Sequence, residues 1–141
     1  MFTTVSLGQY FNDKISNEEI TAKIEWNAEI LLGRVNILLK AFETTTGYKV
    51  EINPKTSNNI SGNLHGDGGF RLQHSSTGSK SSSHKEGRGI DIYDNSGRLD
   101  AWITDEILQE HSLYREHPSA TLHWCHLTTR APASQNRTFY P

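Results

Sequence analysis

The sequence predicts an α+β fold, from three observations. One apolar stripe at helical spacing runs through the first third of the chain. Short strand-like segments fill most of the rest, and a second helical pattern falls between two of them. The arrangement expected is a small, mostly antiparallel sheet with a long N-terminal helix and a second helix packed on it. At 141 residues the chain fits a single domain, 1–141, large enough for its own core. Only 34% of the residues are hydrophobic, and residues 57–83 form a polar run, so the core should be small and the loops long.

The first helix is expected over residues 17–44. Ile20, Ile24, Ala28, Leu31, Leu32, Val35, Leu38, Leu39 and Phe42 recur at steps of three and four. Ser16 with Glu19 three residues later reads as a capping box, and Gly47 stands where a C-terminal glycine belongs. Gly33 inside the stripe suggests the close approach of another element. Residues 48–53 alternate as a strand does and stop at Pro54. Residues 70–72 read as a short strand between two polar loops, which are placed to shape a site. Residues 89–93 form a strand closed by the turn Asp94-Asn95-Ser96-Gly97. A helix follows over 99–110, then strands at 113–115 and 122–128, and an irregular tail from 130 to 141.

Composition removes several function classes. Net charge is −2 and the basic residues are scattered, so neither a nucleic-acid footprint nor a polybasic membrane anchor is present. No stretch approaches the roughly 20 apolar residues of a membrane span. Cys125 is the only cysteine, which rules out an intrachain disulfide. The first residues lack a basic region followed by an apolar run, so synthesis in a cytoplasm without an export address is expected.

Two segments carry chemistry: residues 82–91, Ser-Ser-His-Lys-Glu-Gly-Arg-Gly-Ile-Asp, and residues 123–126, His-Trp-Cys-His. Together they offer two imidazoles and a carboxylate, His84, Asp91 and His126. That donor set suits a catalytic zinc ion with one position left open. Gly87 and Gly89 let the chain turn sharply enough for residues seven apart to converge. With seven histidines in the chain, a pair of this kind by itself is a weak signal. Residues three apart on a strand face opposite ways, so His123 joins His126 only if the chain bends between them. Cys125 should point away from His126 and fill the core.

The pattern Ser82-x-His84-x-x-Gly87-x-Gly89-x-Asp91, followed by Trp124-Cys125-His126, resembles the signatures of the zinc D-Ala-D-Ala carboxypeptidase family. That family includes D,D-peptidases, D,D-dipeptidases, phage L-alanyl-D-glutamate endolysins and the hedgehog-type domain. Gly69-Phe70-Arg71 is similar to the family's upstream substrate-binding segment, and the tail from His126 to Pro141 looks like that of small phage-encoded members. The resemblance covers nearly the whole chain. It implies an α+β fold with the zinc site at the sheet, and His84, Asp91 and His126 as the zinc ligands. Arg71 would hold a substrate carbonyl or carboxylate through its planar fork, and Ser82 would add a hydrogen bond to the same group.

Two departures from the family pattern stand out. Gly89 replaces the usual alanine, and His123 stands where many relatives carry the acidic general base. A neutral imidazole can take that proton. Glu116 is the rival base if its stretch folds over the metal. The expected activity is zinc-dependent hydrolysis of peptidoglycan stem peptides by a monomer, such as a phage endolysin or wall hydrolase. Such a protein would wait in the host cytoplasm until release to the wall, or ride on the virion. The alternative is a non-catalytic zinc-stabilised phage domain that binds wall peptide or acts in assembly, which would hold zinc without turnover.

Overall fold

A computed structural model describes residues 1–77 and 82–141. Part of the second polar loop, 78–81, lies outside the described residues. The fold is α+β, with four α-helices and a four-stranded sheet among the described residues.

The chain opens with a short helix, α1 (Leu7–Phe11), that the apolar spacing did not reveal. Ser6 and Gln9 close a reciprocal capping box at its start. One turn is too short to show a periodicity, and tertiary contacts hold it in place. Tyr10 is fully buried, its hydroxyl donates to the Gly89 carbonyl at 2.9 Å, and its own carbonyl accepts from the Phe70 N–H.

The long helix is α2 (Ala22–Thr46). It begins later than the sequence suggested, because the Thr21 hydroxyl, not Ser16, accepts from the Ile24 N–H. Residues 17–20 turn instead, with Asn17 Oδ1 accepting from the Glu19 N–H. Its end is as expected: Gly47 sits at φ 75°, and its N–H caps the Glu43 carbonyl. Leu31, Val35, Leu38, Leu39 and Phe42 are completely or almost completely buried. Removing a side chain of that size from water stabilises by about 1.5–3 kcal/mol each. Gly33 points to solvent with no atom near its missing Cβ, so no element approaches there.

The sheet has strand order β1-β3-β2-β4, with β1 (Gly89–Tyr93), β2 (Tyr114–Glu116), β3 (Trp124–Thr128) and β4 (Thr138–Phe139). Both pairings of β3 are antiparallel, and β4 joins β2 in parallel. The tail is therefore less irregular than expected. The Arg115 and His117 N–H groups donate to the Arg137 and Phe139 carbonyls. Residues 48–53 and 70–72 are extended but are not strands, because their backbones bond to loops and single residues. Asn53 bridges Asn58, and Arg71 N–H donates to the His84 carbonyl. The helix expected over 99–110 is two, α3 (Arg98–Trp102) and α4 (Asp105–Glu110). Thr104 breaks it: its backbone is extended and its hydroxyl caps a fresh start at Asp105 by accepting from the Ile107 N–H.

Alternation along the strands sorts the sheet into two faces. Ile90, Ile92, Cys125 and Leu127 join α2 in one core. Asp91, Trp124, His126 and Glu116 belong to the other face. No helix among the described residues is long and apolar enough to cross a membrane.

Candidate metal centre

Strand register assembles the site. Asp91 pairs with His126 across β1 and β3. On the next pairing Arg115 faces Leu127, so one step further Glu116 stands level with His126. Glu116 in turn pairs with Phe139 on β4. A single row across the sheet therefore reads Asp91, His126, Glu116, Phe139. None of these neighbours could be deduced from spacing along the chain alone.

His84 reaches the row from a 3-10 turn, Ser83–Glu86, that precedes β1. Ser82 starts that turn, its hydroxyl accepting from the His84 N–H at 3.3 Å. Gly87 ends it at φ 73°, where a Cβ would also lie 2.7 Å from the Ile24 carbonyl oxygen of α2. A side chain at that position is thus excluded twice, by conformation and by contact. Close seating of the turn on α2 is also fixed by Asn27, whose Nδ2 donates to the Glu86 carbonyl.

His84, Asp91 and His126 are 3%, 8% and 4% exposed. Asp91 Oδ1 lies 3.3 Å from His84 Nε2 and 2.7 Å from His126 Nδ1. The other nitrogen of His84, Nδ1, is 2.8 Å from the Gly69 carbonyl. Only an N–H can face that carbonyl, so Nε2, turned towards Asp91, is the nitrogen that could bind a metal ion. Burial by itself would push the Asp91 carboxyl up, but His84 and His126 outweigh it and hold the group well below the usual carboxylate range. Burial pulls His126 down, while its bond to Asp91 and that carboxylate's charge push it up further.

One ligand atom from each of the three residues falls within 4.8 Å of the other two, a group that could hold a metal ion. Metal–nitrogen bonds near 2.0–2.1 Å in a tetrahedral site separate neighbouring ligand atoms by about 3.3 Å. The 3.3 Å spacing of His84 Nε2 from Asp91 matches that scale, and the 2.7 Å spacing of His126 Nδ1 from Asp91 is that of a hydrogen bond. Two imidazoles and one carboxylate leave a fourth position, and a cleft of about 450 Å³ opens onto the group.

The other predicted residues divide. Arg71, Ser82 and Glu116 line this cleft. Arg71 Nη2 donates to Asp91 Oδ2 at 3.4 Å and its Nε to the Asp67 carbonyl at 2.6 Å, so the guanidinium steadies the ligand with part of its fork. Glu116 Oε1 is 4.0 Å from His126 Nε2. His123 is not brought to the site. It sits at φ 77° just before β3, exposed, with Nδ1 3.4 Å from the Asn95 carbonyl. That left-handed residue sets the strand's entry and sends the side chain away from His126. Arg130 and Phe139 also line the cleft and escaped the sequence reading. Arg130 continues the odd-even alternation of Trp124, His126 and Thr128, a signal the irregular tail concealed. Nothing local marked Phe139, whose place depends on the β2–β4 pairing.

No family model, curated protein or solved structure matches this chain.

Proposed function

We propose that this protein is a zinc-dependent peptidase that cleaves peptide stems of bacterial peptidoglycan, in the manner of a phage endolysin or wall hydrolase. The observation that carries the reading is the row Asp91–His126–Glu116, with His84 above it, opening into a cleft edged by Arg71. Ligands, a free carboxylate and a cationic anchor stand together, and they are the residue types that amide hydrolysis requires. The sequence signatures of the zinc D-Ala-D-Ala carboxypeptidase family supply the substrate class.

Bound zinc would supply a Lewis acid able to polarise a carbonyl and acidify water. His84, Asp91 and His126 would hold it. Glu116 accepts the proton of the attacking water and delivers it to the leaving amine. Support for this role is that Glu116 lines the same cleft as the three ligand candidates, with Oε1 4.0 Å from His126 Nε2. Arg71 keeps unused N–H groups after its bonds to Asp67 and Asp91, and these orient a substrate carbonyl or carboxylate. Ser82 lines the same cleft and adds a hydroxyl to that grip. A non-catalytic zinc domain is the rival reading. Its support is the histidine at position 123, where the family resembled above carries an acidic base; Glu116 in the cleft favours the peptidase.

The test is digestion of purified peptidoglycan by the zinc-loaded protein, with products identified by mass spectrometry and His84→Ala as control. One defined new amine and carboxyl end, lost in the variant, is the expected result. Tight stoichiometric zinc with no product from any stem peptide would overturn the peptidase and leave the non-catalytic domain.

A further inference from the structure

Ser83 lies between Ser82 and His84, and its side chain is buried, with the residue 5% exposed. Its Oγ stands 3.4 Å from Nε2 of His126, forty-three residues away. Gly89 makes the room. A Cβ on Gly89 would fall 2.2 Å from Ser83 Oγ and 3.1 Å from His126 Cε1. The serine hydroxyl therefore occupies space that an alanine methyl group at position 89 would take.

The chemistry of His126 gives this hydroxyl a task. His126 turns Nδ1 towards Asp91 Oδ1 at 2.7 Å, so Nδ1 is the nitrogen facing the ligand group. A neutral imidazole has one N–H. If Nδ1 ligates, the hydrogen sits on Nε2, a buried donor that needs an acceptor. Two oxygens face Nε2: Ser83 Oγ at 3.4 Å and Glu116 Oε1 at 4.0 Å. Only the first is within hydrogen-bond reach.

We propose that Ser83 is a positioning residue for the metal ligand His126, with Ser83 Oγ accepting the Nε2–H bond and Gly89 as the complementary residue that admits it. This rests on the metal-centre reading above. The bond fixes the tautomer and tilt of the His126 ring. It also relieves Glu116 of that hydrogen, leaving its carboxylate to act on substrate water.

The test measures zinc affinity by chelator competition on the full chain and three variants: Ser83→Ala, Gly89→Ala and the double change. Ser83→Ala should weaken zinc about tenfold or more while the melting temperature of the metal-free protein stays in place. Gly89→Ala should weaken zinc when Ser83 is present and do so much less in the Ser83→Ala background, where no Oγ is displaced. In the zinc-loaded wild type, nitrogen-15 NMR of the imidazoles should show a slowly exchanging His126 Nε2–H that Ser83→Ala loses. Wild-type zinc affinity in Ser83→Ala, or an equal Gly89→Ala effect in both backgrounds, would overturn the proposal alone. A wild-type chain that binds no zinc would overturn the metal centre and the proposal with it.

Discussion

The sheet carries a buried polar cluster on each face, and the two are built to opposite ends. On the core face Arg115 donates from Nη1 to the Asp100 carbonyl at 2.7 Å and to Asp100 Oδ1 at 3.4 Å. Its Nε donates to Thr138 Oγ1, and Thr121 donates to Asp100 Oδ2. Cation and anion meet directly, two hydroxyls bond to the pair, and the charges are compensated within the fold. Burial still pushes the Asp100 carboxyl up, and it pushes the neighbouring Cys125 thiol up as well. On the other face Asp91 sits between two imidazoles, one ligand atom from each of the three lies within 4.8 Å of the others, and the group opens to a cleft. Burial and shifted titration are common to both. What separates them is the convergence of three groups that could hold a metal ion, with access from solvent. A buried charge by itself is weak evidence of function.

The sharpest way to break this comparison is to change the carboxylate of the open cluster that touches no ligand directly. Glu116→Gln should lower kcat by roughly 10²–10⁴-fold, the usual range for a lost general base, with zinc content unchanged. His123→Ala should leave kcat where it is. Rates of stem-peptide release followed by mass spectrometry decide between them, and a collapse in His123→Ala would return the base to position 123.

The closed cluster should answer in stability instead. Arg115→Met leaves Asp100 as an unpaired buried acid and should cost about 3–5 kcal/mol in denaturant unfolding. Joint replacement with Asp100→Leu should recover much of that loss. A small effect of Arg115→Met would mean that the pair is more hydrated than its burial indicates.

A second closed cluster gives a pH signature. Glu43, near the end of α2, accepts from the Thr3 N–H, the Thr3 hydroxyl and the Val50 N–H, with Lys49 Nζ 3.7 Å away. Burial pushes its carboxyl up, but the bonds from Thr3 and Val50 and the lysine charge pull it below the usual value. A depressed folded value means stability that is present above the unfolded pKa, about 4.3. That stability is lost as pH falls through the folded value. Glu43→Gln should therefore lower the melting temperature at neutral pH, and the gap to wild type should close below about pH 4. A gap independent of pH would show that packing, not the carboxylate, is responsible.

The smallest expected effect touches neither cluster. Gly33 faces solvent on α2 with open space at its missing Cβ. Gly33→Ala should stabilise by about 1 kcal/mol through helix propensity and raise the melting temperature without altering zinc affinity or hydrolysis. A destabilised variant would reveal a neighbour on that face.

Much of the scaffold was legible in the chain. The stripe from Ile24 to Phe42 and the glycine at 47 describe α2 because helix periodicity and a left-handed cap are local properties. The strand 89–93 was equally clear, since Ile90 and Ile92 alternate with Asp91. Helix starts were less legible: Ser16 and Thr21 are both competent caps, and only packing decides which is used. The break at Thr104 was hidden for the same reason, within an unbroken run of helix-compatible residues.

By itself the sequence determined the fold class, the core stripe and the identity of three ligand candidates, because periodicity, capping and residue chemistry act over a few neighbours. The tertiary structure decided which of two candidates stands beside them. Antiparallel register sets Glu116 level with His126, and a left-handed backbone at His123 turns that ring outward. It also decided that Phe139 ends the row and that Ser83 fits beneath His126, since both depend on strand pairing and on contacts between segments far apart in the chain. Local energetics do not encode such contacts, and they form only when the whole sheet closes.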